Sequence, residues 1–206
     1  MDKVWYVCYG SNLSEERFSY YIKGGSYCGR TYYGCRDKTP PENSKGMTIP
    51  YELYFAKKSG FWDNGGVAFI SLAEDLANPT LGRGYLITWE QFLDVLAQEN
   101  SKNPGDDQVA VLYLKTLKNK KMTKIAGLGW YDLVVYLGEE EGYPKFTFTH
   151  SEKYDLRPPA QKYLKVIGDG LKEVYNLSSI EIASYLLNKP GVFKHYKMAE
   201  LIKLFE

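Results

Sequence analysis

The segment Lys3–Tyr9 (KVWYVCY) constrains the chain most: it is β-branched and aromatic along nearly its whole length and stops abruptly at Gly10-Ser11-Asn12. Such a run reads as a buried strand ending in a turn. Ser14-Glu15-Glu16-Arg17 follows as a helix start, with Ser14 placed to accept from a backbone N–H and two glutamates at the positive end of the helix dipole. The chain therefore opens with strand, tight turn and helix.

Further strands are expected at Tyr51–Ala56, at Gly65-Gly66-Val67-Ala68-Phe69-Ile70 and at 82–88, where Gly82 and Gly84 allow close backbone approach. The stretch from Thr39 to Gly46 reads as irregular. Thr88-Trp89-Glu90-Gln91 has the form of a capping box ahead of Phe92, Val95 and Leu96, so a helix is predicted over about 89–99. Glu99 falls four residues after Val95 and three after Leu96, beside the apolar stripe and near the helix end. Strands are then predicted at Val109–Leu114, Trp130–Leu137 and Lys145–His150, the last two joined by a hairpin-like Glu139–Gly142. Leu156-Arg157-Pro158-Pro159 ends the sheet pattern, and helices follow: one carrying Tyr163, Leu164, Ile167 and Leu171, one capped by Ser178, and one near Met198–Phe205. The expected fold class is α+β: a mixed, barrel-like sheet with peripheral helices, in a single domain over 1–206 with a core at 1–155 and a C-terminal helical extension at 156–206.

Bulk properties exclude several function classes. With 26 Lys+Arg against 25 Asp+Glu the net charge is +1, which supplies no global field for nucleic acid or an anionic membrane. No run of about 18 apolar residues and no leader pattern are found, so a cytoplasmic protein off the membrane is expected. Cys8, Cys28 and Cys35 are odd in number and form no CxxC, and His150 and His195 stand far from them, so neither a disulfide framework nor a metal site is expected. The 19 tyrosines suit a wet small-molecule pocket, having apolar bodies and polar tips.

Tyr9-Gly10-Ser11-Asn12-Leu13 resembles the YGSNL signature at the end of the first strand in the γ-glutamylcyclotransferase family. It is followed in order by Trp62-Asp63-Asn64-Gly65-Gly66-Val67-Ala68, by Gly84-Tyr85-Leu86-Ile87-Thr88 and by a helix ending in Glu99. These are similar to the family's W-x-G-G-x-A, G-x-x-[FWY]-x-I and terminal helix glutamate. Arg157 through Ser178 is similar to its C-terminal helix, so the resemblance touches most of the chain from 4 to 187. Two features depart from the pattern. Leu96 stands where the family's L-D-x-x-E helix has aspartate, and the 34–51 insert and the basic 115–124 segment have no counterpart.

The resemblance implies an enzyme that cyclises a γ-glutamyl amino acid, amine or peptide to 5-oxoproline, releasing the amine, without metal or organic cofactor. It implies Glu99 as general acid/base, and Tyr9, Gly10, Ser11, Asn12, Leu13, Gly65 and Gly66 as substrate-binding residues. These are expected to converge on one cavity, in a monomer by default. Without the resemblance, the turn is an ordinary strand-to-helix connection and Glu99 a solvated helix-end residue. The alternatives are an amide or acyl hydrolase on the same scaffold, and a non-catalytic binder of γ-glutamyl ligands. Ser11 lacks the G-x-S-x-G context of an acyl nucleophile, and Cys8 reads as a buried core thiol.

Overall fold

The computed structural model describes residues 2–110 and 112–206. In chain order the first elements are β1 (Lys3–Cys8), a single 3-10 turn (Ser11–Leu13), α1 (Glu15–Lys23), β2 (Gly25–Tyr27), β3 (Arg30–Tyr32) and β4 (Asn43–Ile49). Then come β5 (Tyr51–Ser59), β6 (Gly65–Glu74), β7 (Thr80–Thr88), α2 (Trp89–Glu99), α3 (Asp107–Ala110) and α4 (Leu114–Lys118). The chain closes with β8 (Met122–Lys124), β9 (Leu133–Glu140), β10 (Tyr143–Thr149), α5 (Gln161–Tyr175), α6 (Ser179–Leu187) and α7 (Met198–Phe205). These fall into two compact units. One holds the chain up to Cys8 with Glu16–Lys45 and Gly84–Ser151; the other holds Tyr9–Glu15, Gly46–Arg83 and Glu152–Glu206. Among the described residues no helix is long and apolar enough to cross a membrane.

β1 lies inside a six-stranded mixed sheet of order β4-β7-β1-β10-β9-β8. It runs parallel to β10, with Trp5 opposite Lys145 and Tyr6 opposite Phe146. A strand with neighbours on both sides has no wet edge, and Val4 through Cys8 are all buried, as the apolar run requires. β9 and β10 are antiparallel. Glu141 and Gly142 at their turn have φ of 52° and 81°, the left-handed pair that a tight two-residue hairpin needs.

The sheet is open, which corrects the barrel-like expectation. It ends on β8, a strand of three residues, too short to carry the ladder round to β4. The strand expected at 109–114 is also corrected. Asp107–Ala110 and Leu114–Lys118 are helical turns whose Val109 and Leu117 are buried, and Val111 lies outside the described residues. A short apolar run carries no alternation to separate strand from helix. Among the described residues Cys8, Cys28 and Cys35 form no disulfide; Cys8 and Cys35 are buried and Cys28 is exposed.

α2 starts where its box predicts. Thr88 Oγ1 accepts from Gln91 N at 3.2 Å, and Gln91 Oε1 accepts from Thr88 N at 3.0 Å. Phe92, Val95 and Leu96 are fully buried, each contributing roughly 1.5–3 kcal/mol. The core they join is aromatic: Tyr6 stacks on Phe148 at 5.1 Å and Phe18 on Tyr85 at 4.0 Å.

The second unit is built on the β5–β6 hairpin and the helices α5, α6 and α7. Phe55 ties the hairpin to the C-terminal chain, its N–H donating to Pro190 O and its carbonyl accepting from Arg157 N, both at 2.9 Å. Lys189 is buried here with its amine over the Tyr185 ring at 4.5 Å. Burial lowers its pKa below the ordinary 10.5, although Glu52 and Asp75 oppose the shift. A lysine with a depressed folded pKa holds fewer protons folded than unfolded between the two values, so stability should rise with pH through that window. Lys189→Met is expected to raise the urea midpoint at pH 7 and to flatten the rise in the window that ends at pH 10.5. An unchanged slope would assign the rise to other groups.

Candidate functional site

The turn after β1 lies in the second unit. Its 3-10 geometry uses Leu13 N–H on Gly10 O at 3.0 Å and Ser14 N–H on Ser11 O at 3.2 Å. Tyr9, Ser11, Asn12 and Leu13 are buried and Gly10 is half-buried. Gly10 has φ of −108°, so space rather than backbone conformation demands the glycine. A Cβ there would stand 2.9 Å from the Tyr163 hydroxyl and 3.4 Å from Ala68 Cβ. That hydroxyl accepts from Ala68 N at 3.1 Å, and the Tyr163 ring lies 4.7 Å from Trp62. Tyr163 thus joins three separate motif positions: Gly10, Trp62 and Ala68.

Gly65 and Gly66 are in the same unit as the turn, and both are explained by close approach of the C-terminal chain. A Cβ on Gly65 would stand 2.3 Å from Ala160 N and one on Gly66 2.2 Å from Arg157 O. Gly66 N–H also donates to Pro158 O at 2.8 Å. The pair lets the segment before α5 seat directly on β6, beside the Ala68 that supports Gly10.

Glu99 is in the first unit, half-buried as the last residue of α2. Its carboxylate interacts electrostatically with Arg17 and Tyr21 of α1. Arg17 is buried at 3% exposure, with Nη1 donating to the Tyr32 hydroxyl and the guanidinium 5.5 Å from the Tyr21 and Tyr32 ring centres. Burial disfavours its charge, but Tyr21, Tyr32 and Glu99 outweigh that and hold its pKa above the ordinary arginine value. Burial, followed by the Glu99 charge, also pushes the Tyr21 hydroxyl well above the usual phenol range. The carboxylate at the end of α2 therefore faces a permanent cation and a neutral phenol.

α2 is fixed by Asp94 and Gln98, which the sequence reading did not single out, and by its cap residue Gln91. Asp94, fully buried, accepts from Arg36 N at 2.8 Å, from Arg36 Nε at 3.1 Å and from Gly105 N at 2.9 Å. Gln98 accepts from Gly34 N at 3.2 Å and donates to Tyr21 O at 3.0 Å, while Gln91 Nε2 donates to Asp37 O and Thr39 O. The start of the 34–51 insert is thereby attached to the helix bearing Glu99.

No family model matches the chain. Over 198 residues it is 37% identical to a protein named histone deacetylase 5 from Arabidopsis thaliana, a match covering 89% of this chain and 30% of that protein. The chain thus spans less than a third of that relative's length. A solved gamma-glutamyl cyclotransferase superposes with a TM-score of 0.53 at 17% identity, over 98% of this chain and 99% of that one. The fold is that of the gamma-glutamyl cyclotransferases. A second structure with this cyclotransferase fold, from a Homo sapiens protein described as uncharacterized, gives a TM-score of 0.53 at 18% identity over the same shares of both chains. The α+β class expected from the sequence is thereby the cyclotransferase fold, with the sheet open and the C-terminal helices included in the match.

Proposed function

We propose that the chain is a γ-glutamyl cyclotransferase, with Glu99 as general acid/base and Tyr9–Leu13, supported by Gly65 and Gly66, as the substrate-binding turn. The observation that carries this reading is the turn itself: within a cyclotransferase fold it follows the interior strand β1, with Gly10 packed against Ala68 and Tyr163. The deacetylase name of the sequence relative belongs to a protein of which 30% is matched, and it is not carried over to this chain.

The chemistry asks little of the protein beyond a bent substrate and a proton carrier. The α-amine of a γ-glutamyl compound attacks its own γ-carbonyl carbon, forming the ring C–N bond. The old amide C–N bond breaks, leaving 5-oxoproline and a free amine. Holding the arm folded converts the attack into a well-oriented intramolecular step, which can contribute several kcal/mol of the barrier. Glu99 takes a proton from the α-ammonium and returns it to the leaving nitrogen. Backbone N–H groups of the turn stabilise the carbonyl oxygen as charge develops on it.

The test is release of 5-oxoproline from a panel of γ-glutamyl amino acids, amines and peptides, followed by mass spectrometry. Turnover of at least one is expected. Absence of product across the panel, with thermal stabilisation by the same compounds, would leave only a binding module.

A further inference from the structure

We propose that Arg83, held between Glu15 and Glu173, is a positioning residue for the Tyr9–Leu13 turn, acting through the carbonyl of Leu13. The inference rests on the reading of that turn as the substrate cradle. All four residues belong to the second unit. The Arg83 side chain is 7% exposed, whereas Glu15 and Glu173 are 68% and 39% exposed. A guanidinium withdrawn this far from water is costly unless its donors are used, and here both terminal nitrogens are. Nη1 donates to Leu13 O at 3.1 Å and to Glu173 Oε2 at 2.8 Å, and Nη2 donates to Glu15 Oε2. Glu173 Oε2 also accepts from Glu15 N at 3.0 Å.

The network therefore closes around one point, the junction of the turn with α1. Leu13 gives its N–H back to Gly10 O, so fixing its carbonyl fixes the far end of the loop whose near end is Gly10. α5 backs the same loop along its length. Tyr163 packs under Gly10, Gly170 lies where a Cβ would stand 2.4 Å from the Leu13 carbonyl carbon, and Glu173 anchors Arg83. Positions 163, 170 and 173 share one face of a helix. Arginine is required because two nitrogens with fixed geometry serve three acceptors, which a lysine's single point charge cannot reproduce.

The experiment compares wild type, Arg83→Met and Arg83→Lys by steady-state kinetics on the best γ-glutamyl substrate. Hydrogen exchange of the 11–14 amides is measured in parallel without substrate. Arg83→Lys keeps the charge and guards against a Met variant that fails to fold. In both variants KM is expected to rise about tenfold with kcat within about threefold, and the 11–14 amides to exchange about tenfold faster than wild type. Exchange at 11–14 equal to wild type would overturn the proposal. So would acceleration spread evenly over β7 and α5, or a fall in kcat at constant KM. The exchange arm needs no turnover, so it decides the clamp even if no γ-glutamyl compound reacts, an outcome that would count against the assigned reaction instead.

Discussion

Glu99→Gln is expected to lower kcat by about a hundredfold or more while KM stays within a small factor of wild type, because the amide keeps the shape of the carboxylate but cannot carry the proton. The surroundings of Glu99 make this substitution informative. Arg17 retains the Tyr21 and Tyr32 rings and the Tyr32 hydroxyl as partners when the carboxylate is lost, so the buried cation is not stranded and the fold should persist. Rates measured well below the unfolding temperature then report chemistry. A rise in KM with kcat maintained would make Glu99 a substrate anchor, and the proton carrier would have to be sought first among the tyrosines of the 130–137 segment.

Gly66→Ala should be strongly destabilising. The added Cβ would sit 2.2 Å from Arg157 O and 3.0 Å from Arg157 C, and these are backbone atoms that cannot rotate aside. The same segment receives the Gly66 N–H through Pro158 O, so relieving the clash breaks a buried hydrogen bond. Overpacking of this kind costs about 1–3 kcal/mol, and the lost hydrogen bond adds to it, giving an expected loss of roughly 3–4 kcal/mol. For a chain of this size that is a fall in Tm of about 6–16 °C. Gly60→Ala, where a Cβ meets nothing within 4 Å, serves as the control and should move Tm little. Equal Tm values for the two variants would refute the close-approach explanation of the glycine pair.

Local signals account for what was legible in the sequence. The Thr88–Gln91 box and the Ser178 cap fix the starts of α2 and α6 through bonds spanning three residues, both as read, and Glu181 completes a second box at Ser178 that the reading did not name. β1 was legible because an interior strand shows an unbroken apolar run. The edge of the sheet was not. β4 begins at Asn43, in the stretch read as irregular, and its sequence NSKGMTI opens with four residues of which none is buried.

The candidate site was legible only where a motif named it. Gly10, Trp62 and Ala68 could be marked one by one, but Tyr163 joins them from 95 residues beyond Ala68. Asp94 looks in sequence like a solvated helix residue, yet it is fully buried by Arg36, 58 positions away, and by two backbone N–H groups. Arg83 reads as a strand arginine between glycines, and only the fold brings Leu13 and Glu173 to it. Such side-chain bonds leave no periodic trace, because nothing repeats.

Cyclotransfer as the reaction of this chain is tested most directly by incubating it with a γ-glutamyl substrate in water enriched in oxygen-18 and weighing the glutamyl product. Ring closure uses the substrate's own amine and keeps the original γ-carbonyl oxygen, so the account predicts 5-oxoproline carrying no label. Open-chain glutamate with one labelled oxygen would mean that water is the nucleophile, and would contradict it.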